Sequence, residues 1–304
     1  MLNSDLTKLL FGQNEDNTSN HGLHAYVDYV RRLLLSGHDA IVPKGQIAIA
    51  RDFAIVLNDD GHITLLGRND NFAQLPMQRR IRKIATAYAG YLGLLTNGRA
   101  VTGGPAREFE RSNVIEGYYE IKDLVSCEGH TVLLFEDGSV KSIDEPGGWE
   151  GVPNHDNIVS AWSNIKQIAV GFDNIMGLTE DGKVIYYTHD HRIDRQHYYD
   201  RFDDIVQIDC DSAYYGTCSS MVLHKNGTVS SDTFDFIDHW KDIVQISVSE
   251  HFAIGLRRDG RLEVTGDNQQ MHQIREWKNI ISVECRFFGV VAITSDGEIL
   301  SYFD

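Results

Sequence analysis

Proline and cysteine are scarce in this chain, and cations are outnumbered. The five prolines mark no Pro- or Ser-rich linker, so nothing divides the 304 residues into separate domains. The four cysteines, Cys127, Cys210, Cys218 and Cys285, form no C-x-x-C pair. They read as small core residues of a reducing compartment and not as a disulfide framework or metal site. With 28 Lys and Arg against 44 Asp and Glu, the net charge of −16 disfavours nucleic-acid phosphates and anionic membranes. No run approaches the roughly 18 apolar residues of a membrane span. The opening Met-Leu-Asn-Ser-Asp-Leu-Thr-Lys has no basic stretch followed by an apolar one, so no signal peptide is read and a cytoplasmic protein is expected. Nucleotide-binding glycine loops, nucleophile elbows and His-Glu-x-x-His are also missing.

What the chain does have is a repeat. Asp60-Gly61, Asn97-Gly98, Asp137-Gly138, Asp181-Gly182, Asn226-Gly227, Asp259-Gly260 and Asp296-Gly297 recur in six steps of about 39 residues. Such pairs favour the positive φ of a two-residue hairpin turn, so each predicts a β-hairpin. Three positions before each pair stand Leu57, Leu94, Leu134, Leu178, Leu223, Leu256 and Ile293. Three positions after stand Ile63, Ala100, Val140, Val184, Val229, Leu262 and Ile299. Four positions before, Val56, Gly93, Leu133, Gly177, Val222, Gly255 and Ala292 make that strand apolar on both faces, as a strand between packed layers must be. Further upstream five of the seven units read aromatic-x-x-Ile-x-x-aliphatic, as in Trp162, Ile165 and Ile168 or Trp240, Ile243 and Ile246. The fifth copy keeps the register only with five extra residues around Tyr214 and Tyr215.

These columns predict an all-β, seven-bladed β-propeller of four-stranded blades over residues 39–304. Residues 1–38 form an N-terminal extension, in which Leu23, Tyr26, Val27, Val30, Leu33 and Leu34 recur at helical spacing. The last copy lacks a fourth strand, and residues 39–43 are expected to supply it and close the ring.

Gly67-Arg68-Asn69-Asp70-Asn71-Phe72-Ala73-Gln74-Leu75, Val264 to Gln270, Gly129 to Gly138, and Ile168 to Gly182 resemble the repeat of the regulator of chromosome condensation superfamily. The resemblance covers about 260 residues and implies a seven-bladed propeller. The short copies are most similar to the bacterial branch that includes the type II β-lactamase inhibitor protein. No copy ends in the Trp-Asp of WD-type propellers. The resemblance leaves two activities open, capping of a folded partner and nucleotide exchange on a small GTPase.

The loops between each copy's first and second strands must share one face of the ring. They carry Phe53, Tyr88, Phe172, Tyr214, Tyr215, Phe252, Phe287 and Phe288, among Arg51, Asp52, Glu128, Asp173, Glu250, His251 and Arg286. Aromatics with arginine and carboxylates on a rigid frame are the composition of a protein-binding hot spot. About half of these aromatics are expected to fill seams between blades, with Tyr214, Tyr215 and Phe287 exposed. The partner set is Phe53, Tyr88, Phe172, Tyr214, Tyr215, His251, Phe252, Arg286 and Phe287, and the partner a folded, basic protein bound by a monomer. His189, Asp190, His191, Asp194 and His197 invite a metal reading, but Arg192, Arg195 and Arg201 among them favour a solvated loop. No metal, cofactor or catalytic residue is assigned. The expected function is non-enzymatic, an inhibitor or adaptor, with an exchange factor or an enzyme using the channel as alternatives.

Overall fold

The computed structural model describes residues 22–37, 39–67, 80–86, 90–103, 115, 117–127, 130–144, 156–188, 195–211, 218–266 and 269–303. Seven antiparallel sheets follow one another along the chain. The first holds Ile47–Ile49, Phe53–Leu57 and Ile63–Gly67 (β1–β3), the second Ile81–Thr86, Tyr91–Leu95 and Ala100–Gly103 (β4–β6), and the third Ile121–Cys127, His130–Phe135 and Val140–Asp144 (β7–β9). The fourth holds Ile165–Val170, Asn174–Thr179 and Val184–Thr188 (β10–β12), and the fifth Ile205–Asp211, Ser219–His224 and Val229–Ser230 (β13–β15). The sixth holds Ile243–Val248, Ala253–Arg257 and Leu262–Val264 (β16–β18), and the seventh Ile280–Arg286, Gly289–Thr294 and Ile299–Tyr302 (β19–β21). Each is a three-stranded meander. Four helices are described: α1 (His24–Leu35), α2 (Asp156–Val159), α3 (Gln196–Tyr199) and α4 (Gln269–Arg275). The first strands of neighbouring sheets pack side by side, β1 on β4 and so on to β16 on β19, and β19 returns to β1. The ring is therefore closed.

The apolar columns are its core. Leu57, Leu94, Leu134, Leu178, Leu223, Leu256 and Ile293 are at most 1 % exposed. The upstream aromatics explain the small residues of the next column. A Cβ on Gly177 would lie 2.9 Å from the Trp162 ring, and one on Gly255 2.8 Å from that of Trp240. Indole and glycine thus fill one space between sheets, at the packing density of protein interiors.

Two expectations need correction. The hairpin turns are not two-residue turns with both central residues at positive φ. In the Asn97-Gly98 hairpin the Gly98 N–H donates to Leu95 O (3.1 Å) and the Leu95 N–H to Arg99 O (2.8 Å). Only the glycine is left-handed, at φ 75° for Gly98 and 79° for Gly138. This is the three-residue loop that ends in a glycine bulge. The Asp or Asn is there for its side chain, whose Oδ1 accepts the N–H two residues on, as Asp60 does from His62 (2.9 Å), Asp137 from Ser139 (2.9 Å) and Asn226 from Thr228 (2.9 Å), while Asp181 and Asp296 accept the Thr179 and Thr294 hydroxyls. The fourth strand is also not formed in the one connection between sheets that is described throughout. After β15, residues 231–242 make turns whose Ile237 and Trp240 are buried, and α4 packs beside β18.

Each turn has a second task. The Gly98 carbonyl accepts the Ile121 N–H of the next sheet (2.9 Å), and Gly138 with Ile165 (3.1 Å), Gly182 with Ile205 (3.1 Å), Gly227 with Ile243 (3.0 Å) and Gly260 with Ile280 (3.0 Å) repeat the bond. The residue before the isoleucine is left-handed in four of these, Glu120, Asn164, Asp242 and Asn279.

The closing seam, seventh sheet to first, is built differently. The Asp59 N–H donates to Gly22 O (2.9 Å), and its carboxylate accepts the Ala25 and Tyr26 N–H groups at 2.7 and 3.1 Å. A side chain from the first sheet thus caps α1, which has no capping side chain of its own. Burial raises the Asp59 carboxyl pKa, and these two bonds oppose the rise. Leu23, Tyr26, Val27 and Val30 are buried in one core with the first, sixth and seventh sheets. Arg31 bonds to Ser295 O and Arg258 Nη1 to Leu34 O (2.9 Å), so α1 runs across the turns of the seventh and sixth sheets. Residues 39–43 do not pair with β21 as expected. The Val42 N–H donates to Val244 O of the sixth sheet (2.8 Å), and Val42 O accepts Gln207 Nε2 of the fifth (3.1 Å). Having been carried past the last sheet by α1, the segment has no access to that edge.

Candidate functional site

A meander places the loops between first and second strands on one end of the ring and the Asp-Gly turns on the other. Residues 22–44 cross the turn end. The loop end therefore carries the candidate site, and the structure divides the residues expected there into three groups.

Phe53, Phe172 and Phe252 are 2, 6 and 4 % exposed and belong to the core. Phe53 begins its strand, while Phe172 and Phe252 stand two residues and one residue before theirs, and all three turn inward onto the core. A partner cannot touch them in this arrangement. Tyr88, Tyr214 and Tyr215 lie outside the described residues, as do Glu128 and, in the His-rich segment, His189, Asp190, His191 and Asp194.

The third group forms a surface. His251 stacks on Phe288 at 5.2 Å between ring centroids, and its Nε2 lies 3.6 Å from the Glu250 carboxylate. Arg51 of the first sheet lies 5.8 Å from the centroid of the Phe287 ring. Phe288 is 52 % exposed. Sixth, seventh and first sheets thus contribute one aromatic and charged patch. Phe287 and Phe288 form a two-residue loop, since Arg286 pairs with Gly289. Phe287 takes φ 53° there, a place glycine occupies without strain.

Arg286 is not a surface residue. It reaches across the ring from β19. Its Nη1 donates to Ser126 O (2.8 Å), Nη2 to Val170 O (2.5 Å), and Nε lies 3.4 Å from Asp211 Oδ1. One side chain of the seventh sheet ties the third, fourth and fifth together and spans the channel mouth. Burial works against its charge, but Cys127, Asp211, Asp209 and Cys210 around it hold its pKa above the ordinary arginine value.

Lys44 enters from the other end and lies 2.7 Å from Asp209 and 3.2 Å from Glu284. Burial opposes its charge too, yet these carboxylates raise its pKa above the ordinary lysine value. Lys83 and Asp123 pair at 2.5 Å. The Cys210 and Cys285 thiols, buried here, have their pKa values raised by desolvation, which suits inert core residues.

One column escaped the sequence reading. Gln167, Gln207 and Gln245 each stand two residues after the first isoleucine of their sheet. Their Oε1 atoms accept the N–H of Ile208 (3.2 Å), Ile246 (2.7 Å) and Val283 (3.0 Å) in the next sheet. A register shift just before each glutamine turns it toward its neighbour. The signal was legible as a repeated Ile-x-Gln-Ile.

No sequence family and no curated protein matches the chain. Solved structures do. The ectodomain of the receptor kinase ACR4 from Arabidopsis thaliana aligns with a TM-score of 0.63 at 13% identity, covering 86% of this chain and 95% of that one. Human WBSCR16 aligns at 0.58 and 15% identity, covering 79% and 83%. Prp20p from Saccharomyces cerevisiae, the yeast RCC1, aligns at 0.55 and 13% identity, covering 79% and 80%. The chain has a propeller fold similar to that of the regulator of chromosome condensation.

Proposed function

We propose that this protein is a non-enzymatic, seven-bladed interaction propeller that binds a folded protein partner across its loop face, as an inhibitor or adaptor. The observation that carries this reading is Phe287. A bulky aromatic is kept in a left-handed conformation, beside exposed Phe288, His251 and Arg51, where glycine would be unstrained. Strain of this kind at a surface loop points to use of that side chain. The other face is crossed by residues 22–44, which leaves the loop face as the open one. Aromatic anchors within a charged rim suit steric occlusion of a partner. Protein binding also fits the propeller neighbours: Prp20p is described with Gsp1p and histones, and yeast RCC1 with Kap60. The short repeats favour the bacterial inhibitor branch, and the protein is read as a cytoplasmic monomer without cofactor.

The enzyme alternative has one arrangement to account for. His224 lies 2.6 Å from Asp204 and 2.8 Å from Ser230 Oγ. We read it as a strut joining the three strands of the fifth sheet. The imidazole is buried against the edge of the Phe202 ring, whereas its carboxylate partner is exposed.

Affinity capture from the native cell tests the proposal. Wild type should retain a partner that Phe287→Gly with Phe288→Ser loses, at unchanged melting temperature. Tyr214→Ala with Tyr215→Ala should weaken capture as well. Equal capture by wild type and both variants would remove the loop face from consideration. Accelerated nucleotide release from a small GTPase would instead identify an exchange factor.

A further inference from the structure

Two of the seven turns carry asparagine before their glycine, Asn97-Gly98 and Asn226-Gly227, where the other five carry aspartate. Asparagine is a thermolabile residue. Glycine has no side chain to shield its own amide nitrogen, so that nitrogen can attack the asparagine Cγ. Ring closure expels ammonia and leaves a succinimide. Water then opens the ring to aspartate, or to isoaspartate, whose main chain runs through the side-chain carbon. Both asparagines are exposed, so water reaches them and ammonia can leave.

The folded turn engages both reacting groups. The Gly98 N–H donates to Leu95 O (3.1 Å) and the Gly227 N–H to His224 O (3.0 Å), so each nucleophile's proton is bonded elsewhere. The amide oxygens are held too, but unequally. Asn97 Oδ1 accepts the Arg99 N–H at 3.2 Å, the long end of the range for such bonds. Asn226 Oδ1 accepts the Thr228 N–H at 2.9 Å and the Thr228 hydroxyl at 2.7 Å. The two products differ as well. Aspartate can make the bonds seen at Asp60 and Asp137. Isoaspartate lengthens the main chain beside Gly98 and Gly227, whose carbonyls accept the Ile121 and Ile243 N–H groups of the next sheets. We propose that Asn97 and Asn226 are spontaneous deamidation sites, each gated by the opening of its own turn and Asn97 the faster. Isoaspartate there loosens the seams between the second and third sheets and between the fifth and sixth.

Incubation of the full chain in warm, mildly alkaline buffer tests this, with mass-spectrometric peptide mapping that separates asparaginyl, aspartyl and isoaspartyl forms of each site. In urea that unfolds the chain, glycine follows both asparagines and their rates should agree within about twofold. In the folded chain both rates should fall at least about tenfold, with Asn97 still several-fold faster than Asn226. Thr228→Val removes one of the two bonds on Asn226 and should raise its rate toward that of Asn97. Asn97→Asp and Asn226→Asp should leave Tm unchanged, whereas chains fractionated for isoaspartate at either site should melt lower. The proposal is overturned by no conversion in urea, by folded rates equal to those in urea, by Asn226 matching or outrunning Asn97 in the folded chain, or by isoaspartyl chains that melt like the wild type.

Discussion

The residue on which the ring depends most often is the Asp or Asn of each turn. Its carboxylate or amide oxygen accepts a neighbouring N–H or threonine O–H while the glycine beside it supplies the left-handed bend. A charged acceptor held by donors has a lowered pKa. That holds for Asp137, through Ser139, for Asp181, through Thr179, and for Asp296, through Thr294. The sign follows from linkage. A carboxylate whose pKa is lower folded than unfolded stabilises the fold fully above the unfolded value and loses that contribution as pH falls through the folded one. Melting temperature should therefore drop progressively below about pH 4, and Asp137→Asn should lessen the drop over that window. A series of thermal melts between neutral pH and pH 2 measures it. At this scale the sequence was informative but partly misread. The pairing of Asp with Gly marked every hairpin, yet the pair alone does not distinguish two left-handed residues from one and a side-chain bond.

At the scale of elements, α1 shows what periodicity can and cannot reveal. The spacing of Leu23, Tyr26, Val27 and Val30 located both the helix and its buried face. Nothing local revealed where it lies, because its cap comes from Asp59, more than thirty residues away in sequence. The same gap misplaced residues 39–43. A fourth strand for the last sheet was inferred from the missing one, whereas the helix carries that segment on to the fifth and sixth sheets. Asp59→Ala removes both acceptors from the helix start and should cost about 1 kcal/mol. For a domain of this size that is a fall of about 2–4 °C in Tm, read by thermal denaturation, with Asp59→Asn retaining part of it.

For the whole molecule, seven copies in one register were enough to give the ring, since each sheet can bury both faces only between two neighbours. The site was less legible. A loop position predicts which end of the ring a side chain lies near, not whether it turns outward. So Phe53, Phe172 and Phe252 fell inside, while His251 and Phe287 stayed at the surface. Arg286 differs again, because its partners come from three other sheets and no column could announce them. Arg286→Met should be among the most destabilising single changes, about 3–5 kcal/mol, by leaving Asp211 buried without its cation. Urea denaturation measures this, and adding Asp211→Asn should recover part of the loss.

The strap formed by residues 22–44 also orders events in time. It touches the first, seventh, sixth and fifth sheets before it becomes β1, so the seam that completes the ring is spanned by the same chain. Release of the strap is then expected to speed unfolding, so Asp59→Ala should raise the unfolding rate in urea. A tether pulling on residue 22 would meet the helix cap first and the Lys44 anchor last, so that the molecule opens like a clasped bracelet and not like a row of equal beads.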